Sequence, residues 1–250
     1  MLTLITITYN NFDELKATLD SAAGVKVEHI VINGGTCLET KELLSRFKGK
    51  TISEPDRGIA DAFNKGLGLA TGKGVMFLNS GDKLIHPDYL RTAEILLDRF
   101  DFVHSDIVFD DSIVGPIRMK PARCSLGRGM PYFHQSMVVR RDFMQKVGGF
   151  DTNFRIAMDY DYVIRMHMLG AKGAYYDQNP TILMDGKGVS ATQETKSLVE
   201  SLAALKKNHA LTLRNRLEFF IRYLNFRIRS QLMKMGLERV VGFIKRSKHG

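Results

Sequence analysis

Four times within its first 100 residues the chain alternates a short apolar run with a longer segment of helical period. LTLITIT (2–8) precedes Asn10, Asn11 and FDELKATLDSA, and HIVIN (29–33) precedes GGT and LETKELLSRF. TIS (51–53) precedes EPDRG and IADAFNKGLGLATG, and VMFLN (75–79) runs into SGD and then HPDYLRTAEILLDRF. Strands that read as near-continuous apolar runs are buried on both faces, and an alternation with helices supplies the cover. The pattern predicts an α/β fold with a mostly parallel, Rossmann-like central sheet, right-handed crossovers and helices on both faces.

The second half is less regular. DFVHSDIVF (101–109) and IVGPIRMK (113–120) read as strands, and FHQSMVVRR leads into the short helix RDFMQKVGGF. DYDYVIRMHMLGA (159–171) reads as an amphipathic helix ending at Gly170. GAYYD and PTILMD follow as short strands, and GKGVSAT (186–192) as a glycine-rich loop, so the sheet is expected to be mixed towards one edge. Beyond Thr192 the pattern is helical to the end, which divides the chain into a domain over 1–192 and a basic helical extension over 193–250.

Several classes of protein are excluded by what the chain lacks. Cys37 and Cys124 have no metal-type spacing and suggest neither a disulfide framework nor a zinc site. MLTLITITYN has no basic region ahead of its apolar run and reads as a first strand, not a secretion signal. No stretch approaches the ~20 apolar residues of a membrane span. These features together suggest a cytoplasmic protein. The net charge of +9 is concentrated: residues 211–250 hold ten Lys or Arg against Glu218 and Glu238, leaving +1 for the rest.

In open α/β sheets ligands bind beyond the carboxyl ends of the strands. Here those ends carry Thr8-Tyr9-Asn10, Asn33-Gly34-Gly35-Thr36, Glu54-Pro55-Asp56-Arg57-Gly58 and Asn79-Ser80-Gly81-Asp82, all brought to one rim. Turn chemistry explains part of that pattern. No G-x-G-x-x-G follows the first strand and no G-x-x-x-x-G-K-[ST] occurs, which argues against a dinucleotide site or a P-loop. Asp61, Asn64 and Lys65 share one face of the third helix, either as a solvated face or as part of the rim. Asp159 and Asp161, two apart at a helix start, diverge and so do not form one paired site. Capping is the alternative role for both.

The motifs ITITYN, VINGGT, SEPDRGIADAFNKG, FLNSGD, FHQSMVVRR and AMDYDYVIRM, in that order, resemble the family 2 glycosyltransferases of the GT-A fold. The likeness covers roughly residues 1–192 and is nearest to enzymes of bacterial exopolysaccharide, colanic acid, capsule and O-antigen assembly. It implies that Thr8, Tyr9, Asn10 and Asn33 hold the base and ribose of a nucleotide-sugar donor, with UDP the nucleotide the family favours. Asn33 stands where the family has Asp, and Cys37 where it has a further Asp. Asp61 and Asn64 match the D-A-x-N-x-G helix lining the donor pocket, with Arg57 beside the diphosphate. Ser80, Gly81 and Asp82 belong to the D-x-D element, here Asn-Ser-Gly-Asp, and Asp82 matches its metal-binding acid. A divalent cation, Mg²⁺ or Mn²⁺, is therefore implied, sharing its oxygen ligands with the diphosphate. Asp159 matches the acid proposed as catalytic base, and His134 and Gln135 match an H-Q element on the acceptor side.

The implied reaction is an inverting, metal-assisted transfer of one sugar to a saccharide or polyprenyl-diphosphate-linked saccharide. Processive synthases of the family carry Q-x-x-R-W, and this chain has no tryptophan. A nucleotidyltransferase and a non-catalytic membrane-associated scaffold are the other readings. In the tail, Leu217, Phe220, Ile221, Leu224 and Ile228 follow helical spacing among the arginines. That composition suits an anionic membrane surface, and peripheral attachment to the inner face of the cytoplasmic membrane is expected. Packing of the stripe on the domain or a partner is the alternative, and no recognition motif supports nucleic acid.

Overall fold

The computed structural model describes residues 1–111, 115–122, 125–186, 193–237 and 240. β1 (Thr3–Thr8) and β2 (Glu28–Asn33) pair in parallel, from Thr3 opposite Glu28 to Thr8 opposite Asn33. β3 (Lys50–Ser53) extends the sheet beyond β2, and β4 (Gly74–Phe77) lies on the other side of β1. The intervening helices α1 (Phe12–Ser21), α2 (Leu38–Ser45) and α3 (Ile59–Leu69) form where the period of the sequence changes from two to 3.6. β5 (Lys83–Leu84), α4 (Asp88–Leu96), β6 (Phe102–Ser105), β7 (Ile107–Asp111) and β8 (Gly115–Met119) follow. The chain continues through β9 (Val138–Arg140), α5 (Arg141–Val147), α6 (Met158–Met168), β10 (Gly173–Tyr176), β11 (Ile182–Asp185), α7 (Glu194–Lys207) and α8 (Leu213–Lys234).

The large sheet has the order β10-β6-β9-β4-β1-β2-β3. Its antiparallel strand is β9, an interior strand between β4 and β6, in the half of the sheet towards the β10 edge where the pattern placed the mixing. Val138 and Val139 are both buried there, so two apolar residues suffice for an interior strand. The stretch 101–109, read as one strand, breaks at Asp106. β6 stays in the large sheet, and β7 joins a second sheet ordered β5-β11-β7-β8. Asp106 is fully buried and explains the break, because its carboxylate is claimed by Arg118 at 2.7 Å and by the Tyr175 hydroxyl. A buried ion pair needs such partners to be tolerated, and the chain turns to reach them.

Adjacent residues of β1 point to opposite faces. Ile5 joins the core formed with α3, α5, α6 and α7, while Leu4 joins the one formed with α4. Leu15 of α1, Val31 and Leu44 of α2 make a third cluster. The boundary expected at residue 192 falls just before α7, whose Ala204 and Leu205 are buried in the same core as α3 and α6. Glu200 of α7 also accepts the backbone N–H groups of Arg155, Ile156 and Ala157 at 2.8–3.2 Å, fastening the turn that leads into α6. α8 follows from an N-cap in which Thr212 Oγ1 accepts the Asn215 N–H. Among the described residues no helix is long and apolar enough to cross a membrane. Most of the glycine-rich loop and the last residues of the tail lie outside the described residues.

Candidate active site

The carboxyl ends of the parallel strands open on a cavity of about 650 Å³. Thr8 and Tyr9 after β1, Ser80 and Asp82 after β4, His134 and Gln135 before β9, and Asp159 at the start of α6 all line it. Asn10, Asn33, Arg57, Asp61, Asn64 and Gly81 stand behind this surface and shape its turns.

Asn10 adopts a left-handed φ of 53°, and its Oδ1 accepts the N–H groups of Thr36 and Cys37 at 2.7 and 3.0 Å. It thereby ties the β1–α1 turn to the β2–α2 turn. The close approach requires the glycine pair: a Cβ on Gly35 would lie 2.4 Å from Asn10 Oδ1, and one on Gly34 only 1.7 Å from Asp56 Oδ2. Asn33 is fully buried and its Oδ1 accepts Gly35 N–H at 3.0 Å. A neutral amide suits that dry position, where a carboxylate would need a compensating charge.

Asp61 accepts both the backbone N–H of Arg57 at 3.0 Å and its guanidinium at 3.2 Å. The backbone bond, with the neighbouring cations, holds the Asp61 carboxyl below its ordinary range. It braces the turn in front of α3, with the Arg57 side chain left mostly in solvent. Asn64 makes a two-way bridge to Phe150, donating to its carbonyl and accepting from its N–H, each at 2.8 Å. Both residues therefore hold the cavity wall, and Asp56 and Gly58 between them reach the cavity itself.

The Asn79-Ser80-Gly81-Asp82 turn is fastened from below by Thr18 of α1. Thr18 Oγ1 donates to the Asp82 carbonyl at 2.8 Å and accepts the Gly81 N–H at 3.0 Å. Gly81 has φ 104°, a region that favours glycine. Asp82 is only 5 % exposed, and its Oδ1 accepts the backbone N–H of Asp185 at 3.0 Å. β5, which begins at the next residue, pairs antiparallel with β11 and so delivers Asp185 to this turn. Burial pushes the Asp82 carboxyl up to about 7; the Asp185 carboxylate adds to the rise, against hydrogen bonds from Asp185 N–H and the Gln135 side chain.

Two carboxylates thus meet at the cavity floor, beside Asn79 Oδ1 and Ser80 Oγ, both buried with no hydrogen-bond partner. Among the described residues no third His, Cys, Asp or Glu joins them. An all-oxygen set of this kind fits a hard divalent cation whose remaining ligands come from phosphate and water. Asp185 was missed in the sequence because nothing in its spacing ties it to Asp82; only the β5–β11 pairing does.

Asp159 opens α6 half-buried, its Oδ1 accepting the Tyr160 N–H at 2.7 Å. Burial pushes its carboxyl up to about 6. Asp161 points away into the core, fully buried, and binds Arg165 Nε at 2.9 Å, Asn208 Nδ2 at 2.8 Å and Lys207 Nζ at 3.2 Å. The two acids are separated as their i, i+2 spacing predicted. His134 packs among Phe63, Phe77 and Phe150, its ring stacked on Phe77 at 5.2 Å. Burial pulls that imidazole down to about 4, so it is neutral near pH 7. Gln135 is turned to Asp82.

An α/β sheet of this topology, with a cavity over its strand ends where carboxylates and amides stand among apolar side chains, is the arrangement of the GT-A fold. The chain superposes on S. aureus TarS 1–349 in complex with UDP-GlcNAc with a TM-score of 0.69 and 15 % identity, covering 90 % of this chain and 73 % of that one. It spans 44 % of the longer TarS structure. A mannosyltransferase from Pyrobaculum calidifontis, in complex with GDP-Man and Mn²⁺, gives 0.60 and 18 % identity over 89 % and 73 % of the two chains. At these identities the likeness is one of fold. In sequence, the chain is 30 % identical over 178 residues to an uncharacterised glycosyltransferase of Mycobacterium tuberculosis, covering 66 % of this chain and 68 % of the relative. It is 28 % identical over 180 residues to a PGL/p-HBAD biosynthesis glycosyltransferase of Mycobacterium bovis, covering 66 % and 69 %. The profile of glycosyl transferase family 2 matches residues 3–136. The chain belongs to that family and is a glycosyltransferase.

Proposed function

We propose that the protein transfers one sugar, with inversion and with a divalent cation, from a nucleoside diphosphate sugar to a saccharide or polyprenyl-diphosphate-linked saccharide in bacterial surface polysaccharide synthesis. The observation that carries this reading is the shared cavity, with Asp82 and Asp185 on its floor and Asp159 in its wall. UDP is the leading nucleotide, supported by the UDP-GlcNAc complex of a protein of the same fold. The donor's base and ribose lie against Thr8 and Tyr9, on the turn that Asn10 and Asn33 hold in place. Arg57, exposed between the lining residues Asp56 and Gly58, would meet the diphosphate.

The acceptor hydroxyl attacks the anomeric carbon opposite the leaving diphosphate. The new C–O bond forms as the bond to the phosphate oxygen breaks, and the hydroxyl proton passes to Asp159. A carboxylate raised to about 6 is ionised at neutral pH yet more basic than a free one. General-base assistance of this kind is worth about 10²–10⁴ in rate. Asp82 and Asp185, with Asn79 and Ser80, would hold Mg²⁺ or Mn²⁺, which neutralises charge on the departing diphosphate when bound. An acceptor carried on a lipid places the protein at the inner face of the cytoplasmic membrane as a peripheral enzyme.

The test is calorimetric titration with UDP, GDP and dTDP, each with and without Mn²⁺, on the unaltered chain, Asp82→Ala and Asp185→Asn. We expect one nucleotide to bind only with Mn²⁺, binding to vanish in Asp82→Ala, and Mn²⁺ affinity to fall roughly tenfold in Asp185→Asn. Folded protein that binds none of the three would remove the basis for the donor assignment.

A further inference from the structure

α8 is docked the wrong way round for a helix that completes a core. The residues it buries are Asn215 and Glu218, and its remaining inward positions include Phe219 and Arg222. Asn215 accepts the Gly127 N–H at 3.3 Å and donates to the Ala210 carbonyl at 2.6 Å. Glu218 pairs with Arg128 and Arg214. The approach is close enough that a Cβ on Gly127 would lie 2.5 Å from the Asn215 carbonyl oxygen.

The opposite face carries the apolar stripe. Leu213, Leu217, Phe220, Ile221, Leu224 and Ile228 are all exposed, Leu217 by 62 % and Phe220 by 59 %. At about 100° per residue they fill a sector roughly 100° wide, centred opposite Asn215 and Phe219. Arg216, Arg227 and Lys234 fall together along one border of that sector. None of the three has a carboxylate partner among the described residues; Arg216 meets only the Leu211 carbonyl and Arg227 only the Tyr223 hydroxyl. A contiguous exposed apolar face is rare on a soluble protein and marks a binding surface. A cationic border along it selects an anionic partner, and apolar and basic side chains side by side on one helix suit the boundary of a lipid headgroup layer.

We propose that this outward face of α8 is the docking surface for an anionic lipid bilayer, with the apolar stripe entering the headgroup boundary and Arg216, Arg227 and Lys234 meeting lipid phosphates. Through its opposite, inward face the same helix is joined to the loop beside the site. Asn215 holds Gly127, the adjacent Leu126 carbonyl accepts the Tyr160 hydroxyl, and Tyr160 follows Asp159 on α6. Docking there would hold the domain that carries the cavity at the membrane surface. That consequence rests on the functional reading above; the docking itself does not.

Vesicle co-sedimentation of the full chain, with no donor or cation added, separates the two. Vesicles of phosphatidylcholine alone are compared with vesicles carrying about one-third phosphatidylglycerol. Binding should favour the anionic vesicles and weaken with salt, and replacing Arg216, Arg227 and Lys234 by Gln should reduce it by about a hundredfold. Leu217→Glu with Phe220→Glu should abolish it while leaving the thermal melt unchanged, since both side chains face solvent. Equal binding to both vesicles, no binding to either, or loss of binding in neither variant would overturn the proposal. So would a dimer in solution that Phe220→Glu splits, because a second copy of the chain would then be what covers the stripe.

Discussion

A carboxylate in the first turn of a helix is favoured as an anion by the helix dipole and disfavoured by burial. At Asp159 burial wins and the carboxyl rises to about 6. If this group takes the acceptor proton, kcat under saturating substrate falls on the acid side of about pH 6, as protonation removes the base. Asp159→Asn should lower kcat by about 10²–10⁴ and leave nucleotide affinity within about threefold. Stability supplies an independent reading. A carboxyl whose pKa is higher folded than unfolded contributes stability that is fully present below about pH 4 and is lost as pH rises through about 6. Asp159→Asn does not titrate, so it should melt above the unaltered chain at pH 8, with the gap closing at pH 4. A variant that melts alike at both values would mean that Asp159 is not desolvated. Thermal melts at the two pH values, run beside the kinetics, check both.

The elements that hold the site divide by how far apart in sequence their partners lie. The Asn79–Asp82 turn depends on Thr18 of α1, which is fully buried and bonded to both Gly81 N–H and the Asp82 carbonyl. Thr18→Val keeps the shape and removes both bonds, leaving a buried N–H unmet. It should cost about 1–3 kcal/mol and weaken Mn²⁺-dependent nucleotide binding, whereas valine at the neighbouring exposed Lys16 should do neither. Calorimetry with a denaturation curve measures the pair. Little of this dependence was legible beforehand. The first four strands and helices were, because three of the strands are apolar runs, the short third lies between two helical segments, and each helix keeps one period. Asp82 and Asp159 were also legible, sitting where a strand ends and a helix begins. The break at Asp106, the placement of β9 and the meeting of Asp185 with Asp82 were not. Each is decided by a contact across many residues: Arg118 and Tyr175 on Asp106, the fit of Val138 and Val139 between two strands, and β11 beside β5. Local pattern carries the period of an element and says nothing of its neighbour.

For the molecule as a whole, the question is where the folding unit stops. A division at 192 would leave the turn ahead of α6, which bears Asp159, without the Glu200 carboxylate that meets its three N–H groups. It would also leave fully buried Asp161 with Arg165 alone, since Lys207 and Asn208 come from α7 and the turn after it. Leu198, Ala204 and Leu205 would vanish from the interior. Each large apolar side chain lost from a core destabilises by about 2–5 kcal/mol, so Leu198 and Leu205 together amount to about 4–10. That loss is of the same size as a total stability of about 5–15 kcal/mol. We therefore infer that the unit extends through α7 to about residue 211, and that α8 is an attachment to it. A chain ending at 192 should show no cooperative melt. One ending at 211 should melt a few degrees below the full chain, from losing Asn215 and Phe219, and should keep its Mn²⁺-dependent nucleotide binding. If the shorter chain folds and binds as well as the longer, α7 is dispensable and the site owes nothing to Glu200.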